Sequence, residues 1–181
     1  MATWTSPQAP QEPLHLHTKQ RPQGDQEAKA LACYGVLLKH HATTAQNAGE
    51  KKDSGSQMLL RFVQGRPVSS VTCQFLQWVC QRVQEQGQRV LVLVWDNATW
   101  HLSRQVQQWI DTYNQKAKRS GGLRLLVCRL PSRSPWLNAI EPKWRHGKQA
   151  VVEPQRVLSA NELAERVCAY YGSEHLPHLE H

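Results

Sequence analysis

The segment that most constrains this chain is Arg89 to Trp95, which is nearly all valine and leucine and ends against Asp96. Such a run predicts a strand buried on both faces, as in the centre of a parallel or mixed sheet. Further along, Glu141 closes the stretch Ser134-Pro135-Trp136-Leu137-Asn138-Ala139-Ile140-Glu141. An acid at a strand tip and another near a helix start can converge on one metal ion, a pattern that points to nucleotidyl-transfer chemistry on DNA. With 181 residues, the chain is long enough for one sizeable core and too short for two ordinary domains.

The rest of the chain arranges itself around that strand. Residues 1–27 are rich in proline and glutamine and read as an irregular arm, with one edge strand at most around Leu14-His15-Leu16-His17. Ala28 to Leu38 and Gln57 to Val63 read as strands, and His40 to Ser56 as a polar loop. Ser69 or Ser70 is placed to cap a helix whose apolar face is Val71, Phe75, Leu76, Val79 and Val83, ending at Gly87. Ser103 is placed to cap a second helix with Val106, Trp109, Ile110 and Tyr113 on one face, stopped at Ser120-Gly121-Gly122. Leu123 to Leu130 is the next buried strand, and the prolines of residues 131–137 enforce a loop. A helix then starts near Asn138. The last helix runs from about Ala160 to Tyr171 behind a capping box of Ser159 and Glu162, with Leu163, Val167 and Tyr170 inward. This alternation predicts an α/β fold with a mixed sheet flanked by helices, occupying residues 28–178. Leu179-Glu180-His181 matches the start of an affinity-tag scar and is set apart.

Charge narrows the partner. The net charge is +8, and between Lys116 and Lys148 nine lysines and arginines surround one acid, Glu141. A lone carboxylate in a basic segment suits a reactive group set in a phosphate-binding surface; the plainer reading is a solvated basic face. The five cysteines are scattered, odd in number and free of C-x-x-C pairs, which favours packed free thiols in a reducing cytosol over a disulfide framework or a zinc site. No apolar run approaches membrane-spanning length, so a soluble intracellular protein is expected.

Function in open α/β sheets gathers at the carboxyl ends of strands, where Asp96-Asn97-Ala98-Thr99-Trp100-His101 lies. Asp96 either ligates a hard cation there or opens a turn with Asn97. Glu141 is either a second ligand or, three residues after Asn138, the far member of a capping box. Pro142 fits a first helical position, and a helix starting there frees Glu141 to face a metal. Asn97 is suited to hold a metal-bound water or to fix Asp96. His101 is suited to orient water, carry a proton or contact phosphate, or else is a surface or capping group. Trp136 and Trp144 are candidates for stacking on bases, with core packing as the alternative.

The motifs W-D-N-A-T-W-H (95–101), L-P-S-R-S-P-W-L-N-A-I-E-P-K-W (130–144) and H-G-K-Q-A-V-V-E-P (146–154) closely resemble those of DDE superfamily endonucleases, and more narrowly bacterial insertion-sequence transposases of the mariner superfamily. The resemblance runs from about Ala28 to Leu179. It implies a ribonuclease H-like fold, two Mg²⁺ or Mn²⁺ ions, and cleavage and strand transfer of double-stranded DNA at transposon ends and target. Asp96 matches the second catalytic acid and metal ligand, Glu141 the third, with Asn97, His101 and Asn138 in support. Arg129, Arg133, Trp136, Lys143, Trp144, Arg145 and Lys148 are the expected DNA contacts. A homodimer without membrane association, cytoplasmic and nucleoid-associated, is also implied. Ala139 stands where the family has proline. The family's first acid ends the first strand of its sheet, and the chain is expected to lack that strand. Asp25 and Glu27 sit at the entrance of the next one and do not replace it. The alternative is a non-catalytic DNA-binding or dimerising remnant that regulates a full-length relative; a domesticated interaction protein is a third reading.

Overall fold

The computed structural model describes residues 4–6, 9–14, 31–39, 55–132, 134–152 and 158–180. The loop expected at His40 to Ser56 falls almost wholly outside them, as do Asp25, Glu27 and Arg133. In chain order the elements are β1 (Trp4–Ser6), β2 (Ala9–Leu14), β3 (Leu31–Leu38), β4 (Gln57–Gln64), α1 (Ser69–Glu85), β5 (Val90–Trp95), α2 (Arg104–Ser120), β6 (Arg124–Arg129), a 3₁₀ turn (Pro135–Leu137), α3 (Glu141–Val151) and α4 (Ala160–Tyr171). This is a mixed α/β fold with helices flanking β-sheets; from β3 onward the elements follow the order the sequence predicts, whereas the arm, expected to hold one edge strand at most, carries the paired strands β1 and β2.

The strands form three pairs rather than one hydrogen-bonded sheet. β1 and β2 are antiparallel, as are β3 and β4 over eight paired positions; β5 and β6 run parallel, Val90 opposite Arg124 through Trp95 opposite Arg129. Among the described residues these pairs are not joined into the expected single mixed sheet, and a cavity lies between β3 and β5.

Successive strand residues face opposite ways, and β4 uses both faces. Leu59 and Val63 enter a core with α1, α2, β5 and β6; Met58, Leu60 and Phe62 enter a second core with Ala164 and Cys168 of α4 and Trp144 of α3. β5 does not behave as its composition predicts. Leu91, Leu93 and Trp95 are buried in the first core, but Val90, Val92 and Val94 remain 50%, 55% and 49% exposed. Among the described residues nothing covers that face, which continues onto β6 at the exposed Leu126.

Local signals explain most helix ends. Ser103 Oγ accepts the Val106 N–H, and Gly121 ends α2 at φ 69°, a left-handed conformation that costs glycine little. Ser159 and Glu162 form the reciprocal capping box of α4. On α4, Tyr170 is exposed and Tyr171 is the tyrosine that packs inward, donating to the Lys143 carbonyl at 2.6 Å. α1 departs from expectation too. Ser69 and Ser70 are already helical, the N-cap falls on Val68, and no side chain caps it. The Tyr34 hydroxyl from β3 instead accepts the Val68 N–H at 3.1 Å and donates to the Val68 carbonyl at 3.2 Å, pinning α1 to β3. Of the cysteines, Cys73, Cys80 and Cys168 are packed free thiols, whereas Cys33 and Cys128 are exposed. Leu179, set apart in the sequence, donates its N–H to the Phe62 carbonyl and packs against the first core. No helix among the described residues is long and apolar enough to cross a membrane.

Candidate active site

The loop after β5 is organised around one carboxylate oxygen. Asp96 Oδ1 accepts the Ala98 N–H at 3.1 Å and contacts His101 Nδ1 at 2.8 Å. His101 in turn stacks on Trp95, ring centroids 4.4 Å apart and planes 8° from parallel, so its ring is held by the last residue of the strand. With Nδ1 donating to the carboxylate, Nε2 is left as the ring's acceptor when the imidazole is neutral. The Asp-Asn turn reading therefore holds locally. It also fixes Asp96 rather than consuming it, since both bonds fall on Oδ1 and the residue stays exposed.

Asn97 acts on the backbone. Its amide donates to the Leu130 carbonyl at 2.8 Å, and the Leu130 N–H reaches back to the Trp95 carbonyl at 3.0 Å. The ends of β5 and β6 are thus laced together directly beneath Asp96.

Glu141 is the first residue of α3, with Pro142 in the first turn. Its N–H bonds the Asn138 carbonyl at 3.1 Å, and Asn138 Oδ1 accepts from the Ile140 N–H at 3.5 Å. Asn138 thus shapes the turn before the helix, and Glu141 opens the helix instead of completing a capping box. Asp96, His101, Asn138 and Glu141 line the same cavity, of about 780 Å³, between β3 and β5. Two carboxylates lining one cavity are hard oxygen donors of the kind that Mg²⁺ or Mn²⁺ prefers. Among the described residues no group of three histidine, cysteine, aspartate or glutamate side chains converges as a metal cluster.

The residues expected to contact DNA divide. Arg129 ends β6 opposite Trp95, and Lys143, Arg145 and Lys148 are exposed on α3. Trp136 is 76% exposed on the 3₁₀ turn. The ring of Trp144 is half-buried instead: it lies edge-on to Tyr171 and so close to Gly35 that a β-carbon there would sit 2.5 Å from it. Sequence reasoning passed over Gly35 and Tyr34. A glycine inside a strand pattern is the available signal for such a close approach; nothing local announces the long-range hydroxyl of Tyr34.

These features define a carboxylate-lined cleft in an α/β protein. The family model of the DDE superfamily endonucleases matches residues 33–164, and the chain belongs to that family. Among solved structures, the Mos1 transposase paired-end complex with left transposon end is similar at a TM-score of 0.48 and 14% identity, over 80% of this chain and 47% of that one. The Mos1 strand transfer complex is similar at a TM-score of 0.50 and 13% identity, over 78% and 46%. This chain therefore spans less than half the length of either solved chain. No curated protein matches it by sequence.

Proposed function

We propose that this chain is part of the catalytic region of a mariner-superfamily transposase, with a ribonuclease H-like fold, and that its cleft serves DNA cleavage and strand transfer. The observation that carries this reading is the convergence of Asp96, at the carboxyl end of a strand, and Glu141, at the first residue of a helix, on one cavity in a DDE-family chain. The likeness in fold to the Mos1 strand transfer complex supports it.

Asp96 and Glu141 are the residues that would hold divalent ions, Mg²⁺ or Mn²⁺. Such ions supply activation of the attacking oxygen and stabilisation of the leaving one during an in-line displacement. His101 orients the Asp96 carboxylate through Oδ1 and keeps Nε2 available to accept a proton or, when it carries one, to donate to a phosphate oxygen. Asn97 holds the strand ends in register beneath the acid, and Asn138 sets the turn that aims Glu141. Arg129, Lys143, Arg145 and Lys148 offer exposed cations to the backbone of double-stranded DNA, and Trp136 offers an exposed ring for base contact.

Calorimetric titration with Mn²⁺ tests the site. Weak binding is expected, lost in Asp96→Ala and reduced in Glu141→Gln; tight binding that survives Asp96→Ala would overturn the assignment. A second reading, a DNA-binding or dimerising partner of a full-length relative without catalysis of its own, is favoured by one observation. Only these two acids line the cavity among the described residues.

A further inference from the structure

Asp96 is held by its own loop, through the Ala98 N–H and His101. Glu141 has no such support among the described residues, where only its backbone is bonded, to the Asn138 carbonyl. Where its carboxylate stands therefore depends on how α3 is seated. Residues three and four apart share one side of a helix. Glu141, Trp144, Gly147 and Val151 follow that spacing and form one stripe. Gly147 and Val151 are buried, Trp144 is half-buried, and Glu141 carries the stripe into the cavity.

Two notches receive this stripe. The Trp144 ring lies against Gly35 of β3, where a β-carbon would sit 2.5 Å from its Cη2 and Cζ2 atoms. Gly147 faces Tyr171 of α4, and a β-carbon there would overlap the phenol oxygen. With no side chain in the way, the Tyr171 hydroxyl donates to the Lys143 carbonyl at 2.6 Å. An α-helix pairs that same carbonyl with the Gly147 N–H, and its two lone pairs accept both. Burial, with Tyr170 and Cys33 nearby, raises the pKa of the Tyr171 phenol, so the hydroxyl keeps the proton it donates.

Both notches trace back to one pair of strands. Gly35 lies opposite Leu60 in the β3–β4 ladder. Tyr171 ends α4, whose Ala164 and Cys168 pack with Leu60 and Phe62 of β4. Two residues further on, Ser173 Oγ donates to the Met58 carbonyl at 2.6 Å and ties that end of the helix to the same strand. Asp96 instead follows β5, which among the described residues pairs with β6 alone. The two acids thus stand on different strand pairs and meet only across the cavity.

We propose that Gly35 and Tyr171 are positioning residues for Glu141: by seating α3 they fix its carboxylate relative to Asp96. The shared cation rests on the function proposed above, whereas the seating does not. A methyl at Gly35 would have to drive the Trp144 ring back by about 1 Å to reach ordinary contact. That exceeds the tolerance of about 0.5 Å within which a functional site must hold its groups. Tyr171 contributes through the first turn of α3, which begins at Glu141.

Two measurements on the full 181-residue protein test this. The first is metal-free: Tyr171→Phe keeps the ring and removes the hydroxyl. Amides of residues 141–147 are expected to shift and to exchange about tenfold faster, with those of residues 96–101 unchanged. The second is Mn²⁺ affinity, read from water-proton relaxation. Tyr171→Phe and Gly35→Ala should each weaken it about tenfold. Combined with Glu141→Gln, either should add less than about twofold, because the effect passes through that carboxylate. Trp144→Phe lacks the ring atoms that a methyl at position 35 meets, so it should restore most of the loss in Gly35→Ala. Val167→Ala, in the same layer, should lower stability and leave the affinity unchanged. Unmoved α3 amides in Tyr171→Phe, Mn²⁺ affinity unchanged in both variants, losses that multiply fully with Glu141→Gln, or an equal loss in Val167→Ala would overturn the proposal. Shifted α3 amides in a protein whose parent binds no Mn²⁺ would support the seating and refute the cation site.

Discussion

β4 and β5 are both short apolar strands, yet they meet opposite fates. β4, Gln-Met-Leu-Leu-Arg-Phe-Val-Gln, is the less uniform of the two and is buried on both faces, between α1 on one side and α3 with α4 on the other. β5, an unbroken run of valine and leucine up to Trp95, is buried on one face only. Apolar content states what a strand can tolerate; the layers that reach it decide what is covered. The well-covered region holds the structure together, while the half-covered one carries Asp96 and borders the cavity between β3 and β5. The site thus lies at the seam between a part of the fold covered on both faces and one covered on a single face among the described residues.

That contrast can be broken by mutation. Phe62, 1% exposed in the second core, should cost about 3–5 kcal/mol when changed to alanine, read from denaturant unfolding. A loss below about 1 kcal/mol would mean that the β4 layer is no better built than the β5 layer. Gly35→Ala should cost about 1–3 kcal/mol, because the new methyl meets the Trp144 ring. A neutral result would show that Trp144 is free to leave its packed position and restore it as a candidate for base stacking. Val92→Thr, on the exposed face of β5, should stay within about 0.5 kcal/mol of the parent. A large loss there would show that this face is covered in solution.

Much of this was legible in the sequence, and the failures share a cause. The caps at Ser103 and Ser159 were readable because each depends on residues within one turn. The placement of each acid was readable because Asp96 follows a strong strand signal and Glu141 precedes Pro142, a residue suited to the first helical turn. What could not be read depends on distant partners. The cap expected at Ser69 or Ser70 is absent, and the Tyr34 hydroxyl of β3 holds the Val68 backbone at the start of the helix instead. Trp144 was drawn inward by Gly35 and Tyr171, and α4 turned by one residue, enough to exchange Tyr170 for Tyr171 in the core. The two-sided burial expected of β5 failed for the same reason, since no local pattern encodes which layer arrives to cover a strand. The sequence also leaves the role of Asn97 open between Asp96 and a bound water, and only the Leu130 carbonyl, 2.8 Å away, reveals it as a lace between two strand ends.

The central claim is that Asp96 and Glu141, on separate elements, serve one cation site at this seam. Paramagnetic broadening of backbone amide signals by Mn²⁺ measures it directly. Signals of residues 96–101 and 138–144 should broaden together, at the same low metal ratio, and both sets should recover in Asp96→Ala and in Glu141→Gln. Broadening of one segment alone, or broadening of both that persists in Asp96→Ala, would contradict a shared site.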